Sequence, residues 1–368
     1  MFTILLYLFI AVSAILISYY LLGFSFFAFT KNRPTSGSTP PISVIICAKN
    51  EADNLQQFLP DVINQDYPEY EVVLINDASY DNTLDVMEHF QDNYKHVKIV
   101  NVENNEAFWG NKKYALTLGI KASTYDHLLF CDADCKPKSN NWIKTMSAHF
   151  SKQTTFVLGY GAYQKKAYSL LNALIRFETL LTAIQYFSYA KVGNPYMGVG
   201  RNLAYHKSEF FKHNGFMSHM QVKSGDDDLF INEAATKHTT HIEYSEESHT
   251  VSIPPKTFTE WFQQKRRHIS TAKHYKFKDQ FLLGTFYISQ FLFWGLFIAL
   301  ISTLFQWEMV LAVFSIKLLL QYVVYGFSAK KLNEQNLIIA IPFLEIILII
   351  FQFTIFITNK ISKPNHWK

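Results

Sequence analysis

The chain has 368 residues, which is enough for one sizeable catalytic domain together with membrane segments. Hydrophobic residues make up 49% of it and aromatic residues 16%, and the apolar residues concentrate at the two ends. The formal net charge of +4 is small. It does not indicate a nucleic-acid partner, and basic residues beside apolar runs favour anchoring at a membrane surface.

The three cysteines, Cys47, Cys131 and Cys135, are an odd number without the spacing of a disulfide framework. This usage is typical of a reducing compartment. No second Cys or His pair completes a tetrahedral site with Cys131 and Cys135, so the sequence does not favour metal binding by these thiols.

The first 30 residues predict a transmembrane helix. Residues 2–30 contain no charge, and the run exceeds the roughly 20 residues that cross a bilayer as a helix. Lys31 and Arg33 follow directly, so the positive-inside rule places the next domain in the cytoplasm. We expect an integral protein of the cell (inner) membrane.

Three further apolar runs, residues 281–305, 309–329 and 337–357, predict transmembrane helices near the end of the chain. Lys317 and Glu345 lie near the middle of the second and third runs. Ionisable groups at that depth are costly and often functional, although we favour the alternative that they pair or face the bundle interior. Lys330 and Lys331 predict a cytoplasmic loop between those two runs.

The end of the chain does not fit this scheme. An even number of spans places residues 359–368 outside, yet this tail contains three lysines. Either the positive-inside rule fails there, or the last segment, which contains Pro342 and Glu345, does not fully cross the membrane.

A polar linker at residues 31–41 leads into a region, residues 42–270, that we interpret as one cytoplasmic domain. Its fold class is α/β, because short β-branched and apolar runs alternate with helical patterns and predict a mostly parallel sheet. The predicted strands are residues 42–47, 71–75, 97–102 and 127–131.

An amphipathic helix is predicted near residues 165–190. Leu170, Leu174, Phe177, Leu181 and Ile184 recur at helical spacing. Such a helix either covers the sheet or lies on the membrane surface, and the sequence favours neither.

Polar clusters follow three of the predicted strands, at residues 48–51, 76–79 and 132–134. Since ligands of parallel sheets bind beyond the carboxyl ends of the strands, these clusters are expected to converge on one cleft. Asp132 and Asp134 are two carboxylates separated by one small residue, which suits a divalent cation held together with substrate phosphates. Alone, this spacing is a weak signal.

Several strings in this order resemble the family 2 glycosyltransferases with the GT-A fold, over about residues 41–270. They are PPISVIICAKNEADN, VVLINDASYDNT, GNKKYALTLGI, LLFCDADCKP, GVGRNLAYH, SGDDDLF and QKRRH. Each string alone is unspecific, whereas their joint occurrence is highly specific. Members of this family with few transmembrane spans resemble ceramide or lipid glucosyltransferases. Processive polysaccharide synthases share the same motifs and resemble this sequence more distantly.

The resemblance implies a nucleotide site in which Glu51 and Asp77 bind the base and ribose. It also implies that Asp132 and Asp134 form a metal pair for Mg²⁺ or Mn²⁺. The residues that we expect to bind the nucleotide are Ala48, Lys49, Asn50, Glu51, Asp77, Lys112 and Asp132.

The catalytic base is expected among Asp226, Asp227 and Asp228. Adjacent acids repel one another, which raises at least one pKa and suits a general base. The alternative is an exposed acidic loop or helix N-terminus, where the helix dipole favours carboxylates. The family resemblance favours the base. Aligning on Leu229 selects Asp226, whereas aligning on the acidic pair selects Asp227, so the choice stays open.

The segment from Gln264 to His268 resembles the family's Q-x-x-R-W motif, with His268 where Trp is usual. Gln264 and Arg267 fit the motif, and Arg267 could neutralise the departing diphosphate. The alternative is a basic cluster that holds anionic lipid headgroups. Trp109 and Trp261 are candidates for an aromatic platform in place of the missing Trp.

Together these features predict an inverting enzyme that moves a sugar from a nucleotide-sugar donor, expected to be a UDP-sugar, to a lipid or lipid-linked acceptor at the cytoplasmic membrane face. A processive polysaccharide synthase is the alternative, although three late spans are few for a channel. A non-catalytic nucleotide-sugar sensor or scaffold is an alternative of another class. The retained Asp134 and acidic triplet argue against it.

Overall fold

The structure of the protein, a computed structural model, describes residues 1–31, 37, 39–103, 112–222 and 224–362. The chain divides into two compact units. The helical unit comprises residues 1–31, 166–192 and 275–362. The sheet unit comprises the described residues between these segments.

Within the described residues the strands form one seven-stranded sheet, in the order β3-β2-β1-β4-β8-β6-β9, and one three-stranded sheet, in the order β5-β10-β7. The strands are β1 Ile42–Ala48, β2 Tyr70–Asp77, β3 Val97–Val102, β4 His127–Asp132, β5 Cys135–Pro137, β6 Phe156–Leu158, β7 Gly161–Tyr163, β8 Leu203–His206, β9 Thr240–Ile242 and β10 Thr250–Ser252.

The α-helices of the described residues are α1 Phe2–Tyr19, α2 Ser25–Ala28, α3 Ala52–Ile63, α4 Thr83–Asn93, α5 Lys112–Ala122, α6 Trp142–Ser147, α7 Leu170–Lys191, α8 Lys207–Lys212, α9 Asp228–Ala234, α10 Phe258–Ile269, α11 Phe277–Ser302, α12 Trp307–Lys331 and α13 Ile341–Ile361. A π-helical stretch, Tyr20–Phe24, joins α1 to α2. Short 3₁₀ helices occur at Met217–His219, Glu246–Ser248, Ala272–His274 and Gln335–Ala340.

The predicted α/β fold with a mostly parallel sheet is confirmed. Strands β3, β2, β1 and β4 run parallel, as the alternation of strand and helix patterns predicts. The apolar runs of β1 and β2 are almost continuously buried because helices cover both faces of such a sheet. The antiparallel strand β8, inserted between β4 and β6, was not predicted.

The core of the sheet unit lies between the central strands and the helices that cover them. Helix α3 contributes Leu55, Phe58, Leu59 and Val62, which follow helical spacing and are each 1% exposed. Burying a side chain of this size contributes about 1.5–3 kcal/mol. This packing holds the carboxyl ends of β1, β2 and β4 in fixed register.

The helical unit contains four helices that are long and apolar enough to cross a membrane: Phe2–Ala28, Phe277–Ser302, Trp307–Lys331 and Gln335–Ile361. The shortest has 25 residues. At about 1.5 Å per residue it exceeds the ~30 Å hydrocarbon thickness. Within the unit α1 packs along α11, where Phe9 stacks on Phe293 with ring centroids 5.3 Å apart.

Helix α7, the predicted amphipathic helix, belongs to the helical unit and not to the sheet unit. It packs against α2, α13 and the π-helical stretch, and most of its side chains are buried. The sequence offered the sheet or the membrane surface as its partner. The structure instead shows apolar contacts with the candidate membrane helices.

The two ionisable residues inside the late helices are paired, which is the interpretation we favoured from sequence. Lys317 Nζ lies 3.2 Å from Glu345 Oε2, and both residues are buried. Glu345 also accepts hydrogen bonds from Gln290 Nε2 and Gln321 Nε2, each at 2.7 Å, and from Trp294 Nε1 at 3.0 Å. Charges removed from water need such partners.

Candidate functional site

The carboxyl ends of β2, β1 and β4 meet at one edge of the large sheet. The parallel register places Ala48 beside Asn76 and Cys47 beside Asp132. The polar residues that follow the three strands therefore lie next to one another. The sequence pattern predicted this convergence, and the pairing of the strands is its physical cause.

Hydrogen bonds tie the loop after β1 to the loop after β2. Asn50 has a left-handed backbone with φ of 55°, and its amide donates to Ser79 Oγ at 3.0 Å. The Glu51 amide donates to Thr83 Oγ1 at 2.9 Å. These hydrogen bonds fix the loop at residues 48–51, which we expect to bind the nucleotide. Within this loop Lys49 is partly exposed and Asn50 is exposed.

Asp77, at the end of β2, has a carboxylate oxygen with no partner. The residue is 7% exposed, and its Oδ2 makes no hydrogen bond within the described part of the chain. Burial raises the pKa of Asp77, while Lys49 and Lys112 act in the opposite direction. A buried acceptor without a donor is costly, so this oxygen suits a ligand hydroxyl.

Lys112, the first residue of α5, joins two of the predicted acidic positions. Its Nζ lies 2.9 Å from Asp132 Oδ1 and 3.2 Å from Asp226 Oδ2. Burial disfavours the ammonium, but the two carboxylates hold the pKa of Lys112 well above its ordinary value. Lys112, Asp132, Asp226 and Asp227 line the same narrow cavity.

Asp132 and Asp134 lie close enough together to share a cation. Their carboxylate oxygens and Cys135 Sγ are all within 4.8 Å of one another. Burial and the charge of Asp132 raise the pKa of Asp134 to about 6. Two hard oxygen donors that repel one another fit Mg²⁺ or Mn²⁺. The thiol of Cys135 lies 2.7 Å from Ser252 Oγ and 3.3 Å from Asp134 Oδ1.

The three acids of the triplet have different surroundings. Asp227 caps α9: its Oδ1 accepts from the Asp228 amide and its Oδ2 from the Gly200 amide, each at 2.7 Å. Asp228 is buried and accepts from the Leu229 amide and from Thr271 Oγ1. Asp226 instead contacts Lys112, and its carboxylate accepts no backbone amide within the described part of the chain.

Asp226 and Asp227 both line the cavity, but their carboxylates have different partners. Burial and the neighbouring charges of Asp226 and Asp228 raise the pKa of Asp227 to about 8. Its two oxygens are nevertheless engaged by backbone amides. Asp226, by contrast, has Lys112 as its neighbour on the cavity side.

Helix α10 carries the Q-x-x-R motif. Gln264 Nε2 donates to Tyr163 Oη at 3.4 Å, and Arg267 is partly buried, which lowers its pKa. His268 lies within electrostatic range of Arg267, Arg201 and Lys112. The basic end of α10 therefore faces the region of the acidic residues, within the sheet unit.

Arg201 is a candidate site residue that we did not predict. Its guanidinium carbon lies 4.3 Å from the centre of the Tyr163 ring, and its Nη1 donates to Ser252 Oγ at 3.3 Å. A Cβ at Gly161 would lie 2.3 Å from Arg201 Nε, so only glycine leaves room for this side chain. The only sequence signal was the string GVGRNLAYH.

The two tryptophans considered as aromatic platforms have different outcomes. Trp261 is fully buried, so this candidate presents no ring to an acceptor; its ring centroid lies 6.4 Å from that of Phe258. Trp109 lies outside the described residues.

A family model, Glycosyl transferase family 2, matches residues 43–200 of the chain. The predicted GT-A fold is confirmed by a mannosyltransferase from Pyrobaculum calidifontis, solved with GDP-Man and Mn²⁺. The likeness has a TM-score of 0.56 over 92% of this chain and 99% of that chain. At 16% identity it shows the fold alone.

Two curated relatives illustrate the range of this similarity. Poly-β-1,6-N-acetyl-D-glucosamine synthase of Staphylococcus epidermidis is 32% identical over 125 residues, which are 32% of this chain and 29% of that protein. Cholesterol galactosyltransferase of Borreliella burgdorferi is 30% identical over 93 residues, a quarter of each chain. The chain thus spans less than a third of the length of these relatives.

Proposed function

We propose that the protein transfers a sugar from a nucleoside-diphosphate sugar to a lipid or lipid-linked acceptor at the cytoplasmic face of the cell membrane. The observation that carries the proposal is the cavity in which Lys112 joins Asp132 to Asp226. In this cavity Asp132 belongs to the D-x-D pair, Lys112 is a cation for the donor phosphates, and Asp226 would lie beside the acceptor. Four long apolar helices in the same chain support a membrane acceptor.

The donor would lie across the carboxyl ends of β1, β2 and β4. Asp77 would accept a hydrogen bond from the nucleoside through its unpartnered Oδ2, and the loop at residues 48–51 would border the base. Lys112 would turn from the carboxylates to the donor phosphates. This exchange suits a Lys ammonium, which is a mobile point charge.

Asp132 and Asp134 would hold a divalent cation, Mg²⁺ or Mn²⁺. When bound, such an ion supplies positive charge that stabilises the developing charge on the diphosphate. Arg267 would add a planar guanidinium to the same leaving group. Arg201, through Ser252 and Cys135, would keep the Asp134 carboxylate in place.

The transfer itself is a single displacement with inversion. The acceptor hydroxyl oxygen forms a bond to the anomeric carbon of the donor, and the bond from that carbon to the phosphate oxygen breaks. Asp226 takes the hydroxyl proton, and the nucleoside diphosphate leaves with the electron pair. We assign the base to Asp226 because Asp227 and Asp228 are engaged by backbone amides or Thr271.

The test is transfer by membranes that contain the protein, supplied with a panel of radiolabelled nucleotide sugars that includes UDP-sugars. We expect label from one donor in the organic-solvent extract, and no label with an Asp134→Asn variant present at the same level. Donor consumption without labelled lipid or polymer would contradict the proposal, and no consumption at all would favour a non-catalytic sensor.

A processive polysaccharide synthase is the second candidate, supported by the similarity to a poly-β-1,6-N-acetyl-D-glucosamine synthase. The same assay separates the two candidates, because polymer stays in the aqueous or insoluble fraction. Label in material of high molecular weight would show that the acceptor is a growing sugar chain and not a lipid.

A further inference from the structure

A cavity of about 290 Å³ lies within the helical unit, between the first turn of α7 and the start of α13. Its volume is near the lower bound of ligand pockets, which begin at about 300 Å³. Its lining includes both polar and apolar side chains. The lining residues used below are Lys166, Ser169, Ala173, Arg176, Asn336 and Leu344.

The polar part of the cavity lining carries positive charge. Arg176 is 3% exposed and lines the cavity, and its Nε and Nη2 pair with Glu334 and Asn336. Its Nη1 makes no hydrogen bond with the described residues. Lys166 is exposed, and its ammonium makes no ion pair with the part of the chain that the structure describes. The Arg176–Glu334 pair is neutral, so Lys166 leaves the cavity net positive.

The start of α7 adds to this field. Ser169 caps the helix by accepting a hydrogen bond from the Asn172 amide at 3.2 Å, so the helix begins at the cavity wall. A helix N-terminus carries about half a positive charge and favours anions such as phosphate. Arg176 and Lys166 are independent observations that favour the same kind of ligand.

Apolar side chains form the rest of the cavity lining. Among them are Leu337, Ala340 and Leu344. Nearby in the chain, Leu170 is 47% exposed, Ile339 91% and Phe343 56%. Large apolar side chains exposed beside candidate membrane helices are expected to contact lipid chains. The cavity therefore matches an amphiphile: an anionic head and a hydrocarbon tail.

The cavity also lies at the basic end of the helical unit. Lys330 and Lys331 end α12, and the next element, Gln335–Ala340, supplies the cavity wall. Lys331 Nζ donates to Phe27 O at 3.0 Å, which brings the end of the first span to the same place. Basic residues at helix ends are typical of the cytoplasmic headgroup layer, where phosphate is abundant.

We propose that this cavity binds the phosphate headgroup of an anionic membrane lipid, whose hydrocarbon chains extend over the exposed apolar side chains at its rim. Lys166 and the start of α7 attract the phosphate, and Arg176 donates to it through Nη1. The binding requires no donor or acceptor sugar, so it is independent of the transfer proposed above.

The test measures spin-labelled phosphatidylglycerol in nanodiscs of phosphatidylcholine that contain the full chain. The motionally restricted fraction of the label reports bound lipid. Lys166→Gln should weaken binding about fivefold, since one surface Lys contributes about that factor. Ala173→Phe should weaken it at least about tenfold, because the added ring fills the cavity without changing charge.

Matched controls distinguish this site from general surface attraction. Lys330→Gln removes the same charge from an exposed lysine, and Ala312→Phe adds the same ring to an exposed face of α12. Ala312→Phe should leave the restricted fraction unchanged, and Lys330→Gln should lower it much less than Lys166→Gln does, because Lys330 does not line the cavity. Equal losses in the variant and control pairs, or no loss in Lys166→Gln and Ala173→Phe, would overturn the proposal.

A soluble competitor identifies the source of the phosphate. Inorganic phosphate should fail to displace the labelled lipid, because it lacks the hydrocarbon chains. Displacement by inorganic phosphate would overturn the lipid assignment. Lys166→Gln keeps the experiment decisive if Ala173→Phe does not fold, because the Lys166 side chain is exposed.

Discussion

Replacing Asp226 by Asn should remove the proton acceptor while leaving the fold intact. Asp226 pairs with Lys112, but Lys112 keeps its 2.9 Å contact with Asp132 after the change. No buried charge loses all its partners, so the free energy of unfolding should fall by well under the roughly 3–5 kcal/mol that a buried ion left unpaired costs. Turnover should fall roughly 10²–10⁴-fold, the usual contribution of a general base.

Replacing Asp227 by Asn should have the opposite pattern. An Asn side chain can still cap α9, since Asn is nearly as good a cap as Asp. Its amide nitrogen cannot accept the second hydrogen bond, from the Gly200 amide. A buried amide without a partner costs about 1–3 kcal/mol, so stability should fall while turnover per folded molecule changes little.

The assay is the initial rate of transfer at saturating donor, together with donor affinity and thermal unfolding followed by tryptophan fluorescence in detergent. Asp226→Asn should keep donor affinity and the unfolding temperature of the parent. The reasoning is refuted if Asp226→Asn retains turnover within about tenfold of the parent. A large loss of turnover in Asp227→Asn at parental stability would move the base to Asp227.

Four further outcomes are expected. Asp134→Asn should nearly abolish transfer, EDTA should do the same to the parent, and Mg²⁺ or Mn²⁺ should restore the parent; full activity in EDTA would exclude the metal. Asp77→Ala should weaken donor binding by about 1 kcal/mol or more, measured by equilibrium dialysis, because one hydrogen bond to the nucleoside is lost. Arg267→Lys should slow transfer in liposomes of fixed anionic-lipid content, because a point charge cannot replace a bidentate contact. The control variant Lys273→Arg should transfer at the parent rate. If Arg267→Lys also transfers at the parent rate, Arg267 contacts lipid headgroups and not the diphosphate. The pKa of Asp227 is about 8 in the folded protein against an ordinary 3.8. Between these two pH values the folded protein therefore keeps a proton on Asp227 that the unfolded chain has lost. The unfolding temperature should fall as the pH rises through this range, and it should fall less steeply in Asp227→Asn.

The strands and the long apolar helices could be predicted from sequence because their signals are local. The run from Ile42 to Ala48 is β-branched and buried on both faces, and residues 2–30 lack any charge. The convergence of Asp77 and Asp132 was also predictable, since parallel strands place their carboxyl ends at one edge. Each inference needed only the neighbours of a residue in the chain and one rule of sheet geometry.

The rest depended on contacts between distant parts of the chain. Neither the antiparallel insertion of β8 nor the contact of Lys112 with Asp226 has a local pattern, because both join segments far apart in sequence. The same holds for Arg201, whose place beside Tyr163 and Ser252 depends on the packing of two sheets.

The acidic triplet at residues 226–228 shows both what the sequence determines and what only the tertiary structure determines. The sequence by itself determined that three carboxylates stand together beside a helix start, and the family resemblance indicated that one acts as a base. Only the tertiary structure distinguished them, because the backbone amide of Gly200 engages Asp227, Thr271 engages Asp228, and Lys112 draws Asp226 into the cavity. Adjacent residues differ in role when different long-range partners surround them, and local spacing does not encode those partners.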